Sequence, residues 1–362
     1  MTDEAVDLPA LSSYLSEELD EDVVGVEVLH DGLNLSLAIS TAMEEDAYVL
    51  RRPNKFRDTE SFISLEREYD VLHRLRDTAL SAPEPILICE NRSVIGDPFL
   101  LTTYLGGEVV PLGSDLPERF RNPDARRRIG TLLIDTLAAL HSVDTGPFTH
   151  VCERRTPQDQ VDEATARLVQ ATQATGHEPP GIWDVADWLR RNVPTESETT
   201  LCHGDFRPGN ILFAGTNRPA IAGVLDWETA FLGDPLTELG YLLLRWRDAD
   251  DPTPPLDGIE ERYPNEDVRT KLTGDTAPGL APFTNRPGSP DRRELVSRYE
   301  EQTDLSFENE RFYRTLSAFM LAAVWEDIYR HQRESGTESD WELRIDYMSM
   351  RAKRIATGSA HL

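Results

Sequence analysis

The chain has 362 residues, 39% of them hydrophobic, a length that allows one large or two medium domains with a sizeable core. Its 65 acidic residues outnumber 37 basic ones, giving a formal charge of -28; such a surface repels nucleic acid and anionic lipid, so no nucleic acid and no membrane are expected as partners. No apolar run approaches the roughly 20 residues that cross a bilayer, the start of the chain lacks the basic-then-apolar order of an export signal, and Cys89, Cys152 and Cys202 are too few and too scattered for a disulfide framework or a metal knuckle, so a cytoplasmic location without structural zinc is expected.

In chain order, Val23–Leu29 and Leu35–Ser40 flank the turn-forming His30-Asp31-Gly32, and Ala47–Arg51 follows the polar turn Glu44-Glu45-Asp46, which predicts a three-strand meander. From Thr59 the apolar spacing changes to Phe62, Leu65, Tyr69, Leu72 and Leu75, a helical period with Thr59 or Ser61 as N-cap. Strands are predicted around Pro85–Cys89 and Pro98–Tyr104, and Gly106-Gly107 then breaks the pattern. The first hundred residues therefore read as a small β-rich unit with one helix. Beyond the glycines, Ile129, Leu132, Leu133, Leu137 and Leu140 form one stripe of a helix ending near His141. A strand pair, Asn210–Phe213 and Ala220–Leu225, is joined by a turn-rich link and ends at Asp226. Residues 248–291, rich in Pro, Gly and acidic side chains, read as a long surface excursion. Helical spacing resumes at Leu295 and is strongly apolar from Phe312 to Val324.

The basic residues are themselves unevenly chosen: Lys55, Lys271 and Lys353 are the only lysines and arginine supplies the rest. Acid-rich, lysine-poor composition in a patterned chain reads as adaptation to very high salt, where screening over a few ångströms makes a dense acidic surface tolerable.

The sharpest signal is His203-Gly204-Asp205-Phe206-Arg207-Pro208-Gly209-Asn210, followed after the strand pair by Asp226-Trp227-Glu228. A chance H-G-D-x-x-x-x-N in such a chain is on the order of one in a thousand. Phosphoryl transfer from ATP needs a carboxylate to hold the attacking hydroxyl and oxygen ligands that keep magnesium on the phosphates. Asp205, Asn210 and Asp226 supply both.

With Tyr48–Pro53, Glu66–Leu72, Ser93–Phe99, Val224–Glu228, Gly233–Leu236 and Glu294–Tyr299, these motifs resemble the aminoglycoside phosphotransferase and choline kinase superfamily of protein-kinase-like enzymes. Within it they resemble the subgroup related to the kinase-like domain of acyl-CoA dehydrogenase fusion proteins, over nearly the whole chain. The resemblance implies an α+β, two-lobed protein-kinase-like fold: a small antiparallel-sheet N-terminal lobe, residues 1–105, binding nucleotide, and a larger α-helical C-terminal lobe, residues 106–362, carrying catalysis and substrate binding. It further implies ATP and Mg2+ as cofactors and a small-molecule hydroxyl as acceptor. Carried over by position, Asp205 is the catalytic base, Asn210 and Asp226 are the magnesium ligands, His203 braces the loop, and Arg207 stands near the transferred phosphate.

The first lobe departs from the common pattern. Related enzymes place a lysine on the third strand, whereas this strand ends Val49-Leu50-Arg51-Arg52; Arg51 is the candidate for the α/β-phosphates, with Lys55 beyond Pro53 as runner-up. Glu68, on the apolar face of the next helix with Leu65, Val71, Leu72 and Leu75, is its expected partner, while Glu66 falls nearer the edge. Gly32, Asn34 and Ser36 are placed over the phosphates, though a plain hairpin turn also explains them. Adenine is expected against backbone groups from Thr103 to Leu105. Asp234, Glu238 and His141 read as structural, and Trp227 as core. The expected activity is transfer of the ATP γ-phosphate to a small-molecule hydroxyl; the alternative is a nucleotide-binding regulatory protein with little transfer activity. The acceptor and the oligomeric state are not readable.

Overall fold

The computed structural model describes residues 6–32, 34–53, 63–111, 113–248, 257–264, 267–268, 272, 281–336, 341–360 and 362. Five strands, β1 (Val23–Asp31), β2 (Asn34–Thr41), β3 (Tyr48–Pro53), β4 (Pro85–Cys89) and β5 (Phe99–Thr103), form one antiparallel sheet in the order β1-β2-β3-β5-β4. Alternation along the strands divides the sheet's contacts. Leu35, Leu37, Ile39, Leu50, Phe99 and Leu101 point to one face, where Leu11 and Leu15 of a helix α1 (Leu8–Leu19) complete a small core. Helix α1 is absent from the sequence reading, which began its elements at Val23. Its start is fixed by Asp7, whose carboxylate accepts the Ala10 amide at 3.0 Å, with Pro9 in the first turn.

Helix α2 (Leu65–Leu75) lies against the β4–β5 side, its Val71, Leu72 and Leu75 joining the main core together with Leu100. It begins later than the spacing predicted: Ser64 is the N-cap, accepting the Arg67 amide. Lys55, Thr59, Ser61 and Phe62 lie outside the described residues.

The rest of the chain is mainly helical: α3 (Pro123–His141), α4 (Pro157–Thr175), α5 (Ile182–Arg191), α6 (Pro235–Arg245), the short α7 (Asp257–Arg262), α8 (Arg292–Thr303), α9 (Glu310–Glu334) and α10 (Trp341–Ala356). Helix α9 packs against α4, α6 and α10, and most of its apolar length from Phe312 to Trp325 is buried. Set into this helical lobe are a three-stranded sheet, β6 (Arg154–Arg155), β10 (Phe231–Gly233) and β7 (Thr200–Cys202), and the hairpin β8 (Ile211–Ala214) and β9 (Ala220–Val224). The hairpin is shorter than predicted at both ends: Asn210 closes a 3₁₀ turn, Pro208–Asn210, and Leu225 lies past β9. A small antiparallel sheet lobe and a larger helical one make this a two-lobed, protein-kinase-like α+β fold.

Residues 248–291 differ from the expected surface excursion. Ile259, Val268 and Leu272 are buried with Leu343 and Tyr347 of α10 in a core of their own, and Phe283 is fully buried, stacked edge-on to Trp246. Proline and acidic side chains hid a few well-spaced apolar anchors.

Candidate active site

The segment from His203 to Asn210 runs from β7 to β8 and is shaped by its own side chains. The Nδ1 atom of His203 accepts the Asp205 amide at 3.1 Å, and its Nε2 donates to the Leu225 carbonyl at 2.7 Å. These two bonds fix the tautomer and tie this loop to the one carrying Asp226. His203 is fully buried, with its ring 4.8 Å from that of Trp227. Gly204 has φ +86, and a Cβ there would collide with the Thr229 carbonyl oxygen, so glycine is required at this close crossing.

Both oxygens of Asp205 are engaged. Oδ2 accepts Nε of Arg207 and Nδ2 of Asn210, each at 2.9 Å, and Oδ1 accepts the Tyr241 hydroxyl at 2.7 Å. Burial raises the Asp205 carboxyl, but the Arg207 guanidinium, the Tyr241 hydrogen bond and the charge of Arg245 outweigh it and hold the group below the usual carboxylate range. It is therefore ionised at neutral pH. Arg207 sits directly on Asp205, and a Cβ at Gly209 would collide with its Nη1.

Asp226 follows β9 in the left-handed region, φ 62, a conformation that Asp tolerates better than most residues. The Leu225 amide donates to the Asn210 carbonyl at 2.8 Å, which brings the end of β9 beside the end of the 3₁₀ turn. The Asp226 side chain is 45% exposed. Asn210 spends its amide nitrogen on Asp205, both on the carboxylate and on the backbone carbonyl, which turns its amide oxygen away from them.

On the sheet side, Arg51 of β3 donates to Glu68 of α2, and its Nη1 reaches Oδ1 of Asp226 at 2.9 Å and Oε2 of Glu228 at 3.1 Å. Arg52 points the other way and donates to the Ile95 carbonyl at 2.7 Å. Asn34 donates to the same Glu228 oxygen at 3.1 Å. One arginine and one asparagine from the sheet thus meet carboxylates from α2 and from the loop after β9. Gly32 stays in the β1–β2 turn, donating to the Asn34 carbonyl, and Ser36 stands opposite Arg51 in the strand register. Thr103 ends β5 and Leu105 lies in the connector after it. Thr103 is paired with Glu84 through amide and hydroxyl, the Tyr104 amide donates to the Ala47 carbonyl, and Leu105 rests over Gly223 of β9.

Four residues of the site escaped the sequence reading: Glu228, Glu238 as a partner of the loop, Tyr241 and Arg245. The last three lie on α6 at i, i+3 and i+7, one face of a helix whose other residues are largely leucine. That spacing of polar residues in an apolar run was the available signal. Glu238 accepts the His203 amide at 3.1 Å and the Gly204 amide at 2.7 Å, and the ring of His141 bridges it to the Tyr299 hydroxyl. Ligand atoms of His141, Glu238 and Cys202 lie within 4.8 Å of one another. Glu238 and His141 are committed to these hydrogen bonds, and burial holds the Cys202 thiol far above its ordinary value, so the cluster reads as a brace for the loop.

The model of the phosphotransferase enzyme family matches residues 28–271. Acyl-CoA dehydrogenase family member 11 of Rattus norvegicus is 29% identical over 302 residues, covering 78% of this chain and 33% of its own length. The chain spans about a third of the length of the curated relatives it first matches. Among solved structures, a Ralstonia eutropha protein described as a candidate aminoglycoside phosphotransferase superposes with a TM-score of 0.72 at 24% identity, covering 99% of this chain and 100% of that one. An aminoglycoside phosphotransferase crystallised with ADP and hygromycin B gives 0.59 at 16% identity, covering 98% and 100%.

Proposed function

The chain belongs to the phosphotransferase enzyme family, and from that premise we propose that it is a magnesium-dependent kinase that moves the γ-phosphate of ATP to a hydroxyl of a small molecule. The observation that carries this reading is the Asp205 carboxylate, kept ionised and aimed by Arg207, Asn210 and Tyr241 beside the loop that presents Asp226. Nucleotide is assigned to the cleft between a sheet lobe ending at Leu105 and the helical lobe after it. The Thr103 and Tyr104 amides are already paired within the sheet lobe, which leaves the Leu105 amide as this connector's donor to adenine. Arg51, with Asn34, Ser36 and Gly32 above it, is assigned to the phosphates, and Glu68 to holding Arg51.

An accessible carboxylate on Asp226 and the Asn210 amide oxygen, turned away from Asp205, are hard oxygen donors of the type that suits Mg2+. When bound there, magnesium neutralises charge on the phosphates. Asp205 accepts the hydrogen of the acceptor hydroxyl and so orients its oxygen toward the γ-phosphorus. As that P–O bond forms, the bond from phosphorus to the bridging oxygen of ADP breaks, ADP leaves with the electron pair, and the acceptor proton passes to Asp205. Arg207 offsets charge on the transferred group, and His203 and Glu238 hold the loop that carries both residues. The two guanidiniums near Asp205, Arg207 and Arg245, disfavour a polycationic acceptor such as an aminoglycoside.

The ion pair between Arg51 and Asp226 favours one competing reading, a nucleotide-binding regulatory protein, because it sets the phosphate contact against the metal ligand. A screen for ADP release over hydroxylated metabolites in concentrated KCl separates the two. Wild type is expected to release ADP with a subset of acceptors, and Asp205→Asn to lower kcat by about 10²- to 10⁴-fold with an unchanged melting midpoint. Equal turnover by wild type and variant would remove Asp205 from the chemistry.

A further inference from the structure

We propose that Tyr241 is a positioning residue for Asp205, and that Arg245 fixes the direction in which Tyr241 gives its proton. The inference rests on the phosphotransfer reading of Asp205 and extends it to α6.

A phenol has one proton to donate and can also accept. Nη2 of Arg245 lies 2.5 Å from the Tyr241 oxygen, and the guanidinium packs over the Tyr241 ring at 4.7 Å. Arginine can only donate, so the phenolic proton must point elsewhere, and Asp205 Oδ1 stands 2.7 Å away. The order Arg245 to Tyr241 to Asp205 is thereby one-way. Tyr241 keeps its proton across the physiological range, since burial, and the Asp205 charge against the opposing Arg245, push it up to about 12. Arg245 is 2% exposed, four residues after Tyr241 on the same helical face. The helix itself is anchored: Asp234 caps its first turn through the Leu236 amide at 2.9 Å and accepts the Tyr313 hydroxyl at 2.8 Å.

The consequence concerns which lone pair of Asp205 meets the acceptor. Arg207 and Asn210 together occupy Oδ2. Tyr241 takes one of the two lone pairs on Oδ1, which leaves the other as the position for an incoming hydroxyl. Without the phenolic donor, the carboxylate is free to swing about its Oδ2 anchors, because the last torsion of an aspartate is broad and soft. The oxygen then loses its aim at the reacting centre, where misplacement by about 1 Å costs on the order of 10²-fold in rate. The Tyr241 hydroxyl spends its hydrogen bonds on Asp205 and Arg245, neither of them assigned to the nucleotide, so the loss is expected in kcat and not in the KM for ATP.

The test uses Tyr241→Phe, with Asp205→Asn as blank and Leu242→Ala as a packing control on the same helix. ADP release is measured from Mg-ATP with water as acceptor, and a crystal structure of Tyr241→Phe is solved. The expected result for Tyr241→Phe is a kcat lower by about 10- to 100-fold, a KM for ATP within about twofold of wild type, and an Asp205 carboxylate rotated from its wild-type direction. Leu242→Ala is expected to lower the melting midpoint while keeping kcat. Wild-type kcat in Tyr241→Phe, or a loss carried by the KM for ATP, overturns the inference. If wild type releases no more ADP than Asp205→Asn with water and with every acceptor of the metabolite screen, the phosphotransfer reading is what fails; the crystal structure then decides the positioning claim alone, and an unmoved Asp205 carboxylate overturns it.

Discussion

Arg51 meets carboxylates from two directions, Glu68 on α2 and the pair Asp226 and Glu228 beyond β9. Glu68 is only 2% exposed, and the guanidinium is the charge that compensates it in the interior. Arg51→Ala would leave that charge buried without compensation and is expected to cost about 3–5 kcal/mol of stability, measurable by urea denaturation. Arg51→Lys keeps a charge but not the planar fork that serves Glu68 and Asp226 together; it is expected to regain part of the stability and to bind ADP more weakly than wild type, by calorimetry. The geometry of Arg51 could be reasoned from period-two alternation along β3, and that of Glu68 from the apolar face of α2, because each rule fixes a direction from neighbours in sequence. Tyr241 and Glu228 could not be reached that way. Their partners lie 36 and 177 residues away, and no local periodicity says which distant side chain will meet them.

At the scale of elements, the five strands of the sheet and helices α2, α3, α8 and α9 were legible because alternation and helical stripes repeat over many residues, whereas α4 and α10, with polar side chains mixed among their apolar ones, were not predicted. Helix α1 was not, since its apolar positions are diluted by serine and acidic residues. The packed parts of residues 257–285 were hidden for a similar reason. Another feature with no local signature joins four helices. His177, just past α4, lies with Nδ1 2.6 Å from Glu326 of α9 and Nε2 3.0 Å from Asp346 of α10. Arg262 and Tyr263, at the end of α7, also reach Asp346, at 2.6 and 2.9 Å, and Thr175 donates to Glu326 at 2.6 Å. Burial alone would depress the imidazolium, but the two carboxylates outweigh it and raise His177 to about 9. Its folded-state pKa is therefore above the unfolded value near 6.5. The stabilisation is fully present below about pH 6.5 and is lost as pH rises through about 9, with a magnitude of about 3 kcal/mol. Urea midpoints of wild type and His177→Gln are expected to differ most at pH 6 and to converge toward pH 9.5; a pH-independent difference would show that His177 is neutral in the fold.

For the molecule as a whole, the charge of -28 opposes compaction through self-repulsion, and salt relieves it over a Debye length. The melting midpoint is expected to climb steadily between about 0.1 and about 2 M KCl, and a flat or falling curve would detach the acidic composition from salt. Among the described residues no helix is long and apolar enough to cross a membrane. The two lobes come together through a shared core, in which Val71, Leu72, Leu75 and Leu100 join the apolar residues of the helical lobe, and through polar side chains: Arg51 and Asn34 from the sheet meet Asp226 and Glu228, while α2 packs beside the 3₁₀ turn Trp227–Thr229. On the proposed function this junction gathers nucleotide and divalent ion around Asp226 while Asp205 is reserved for the acceptor. Calorimetric titration with a non-hydrolysable ATP analogue, with and without magnesium, tests it directly. Magnesium is expected to tighten binding in wild type and in Asp205→Asn but not in Asp226→Asn; magnesium-independent binding in wild type, or equal tightening in Asp226→Asn, would remove Asp226 from the metal site.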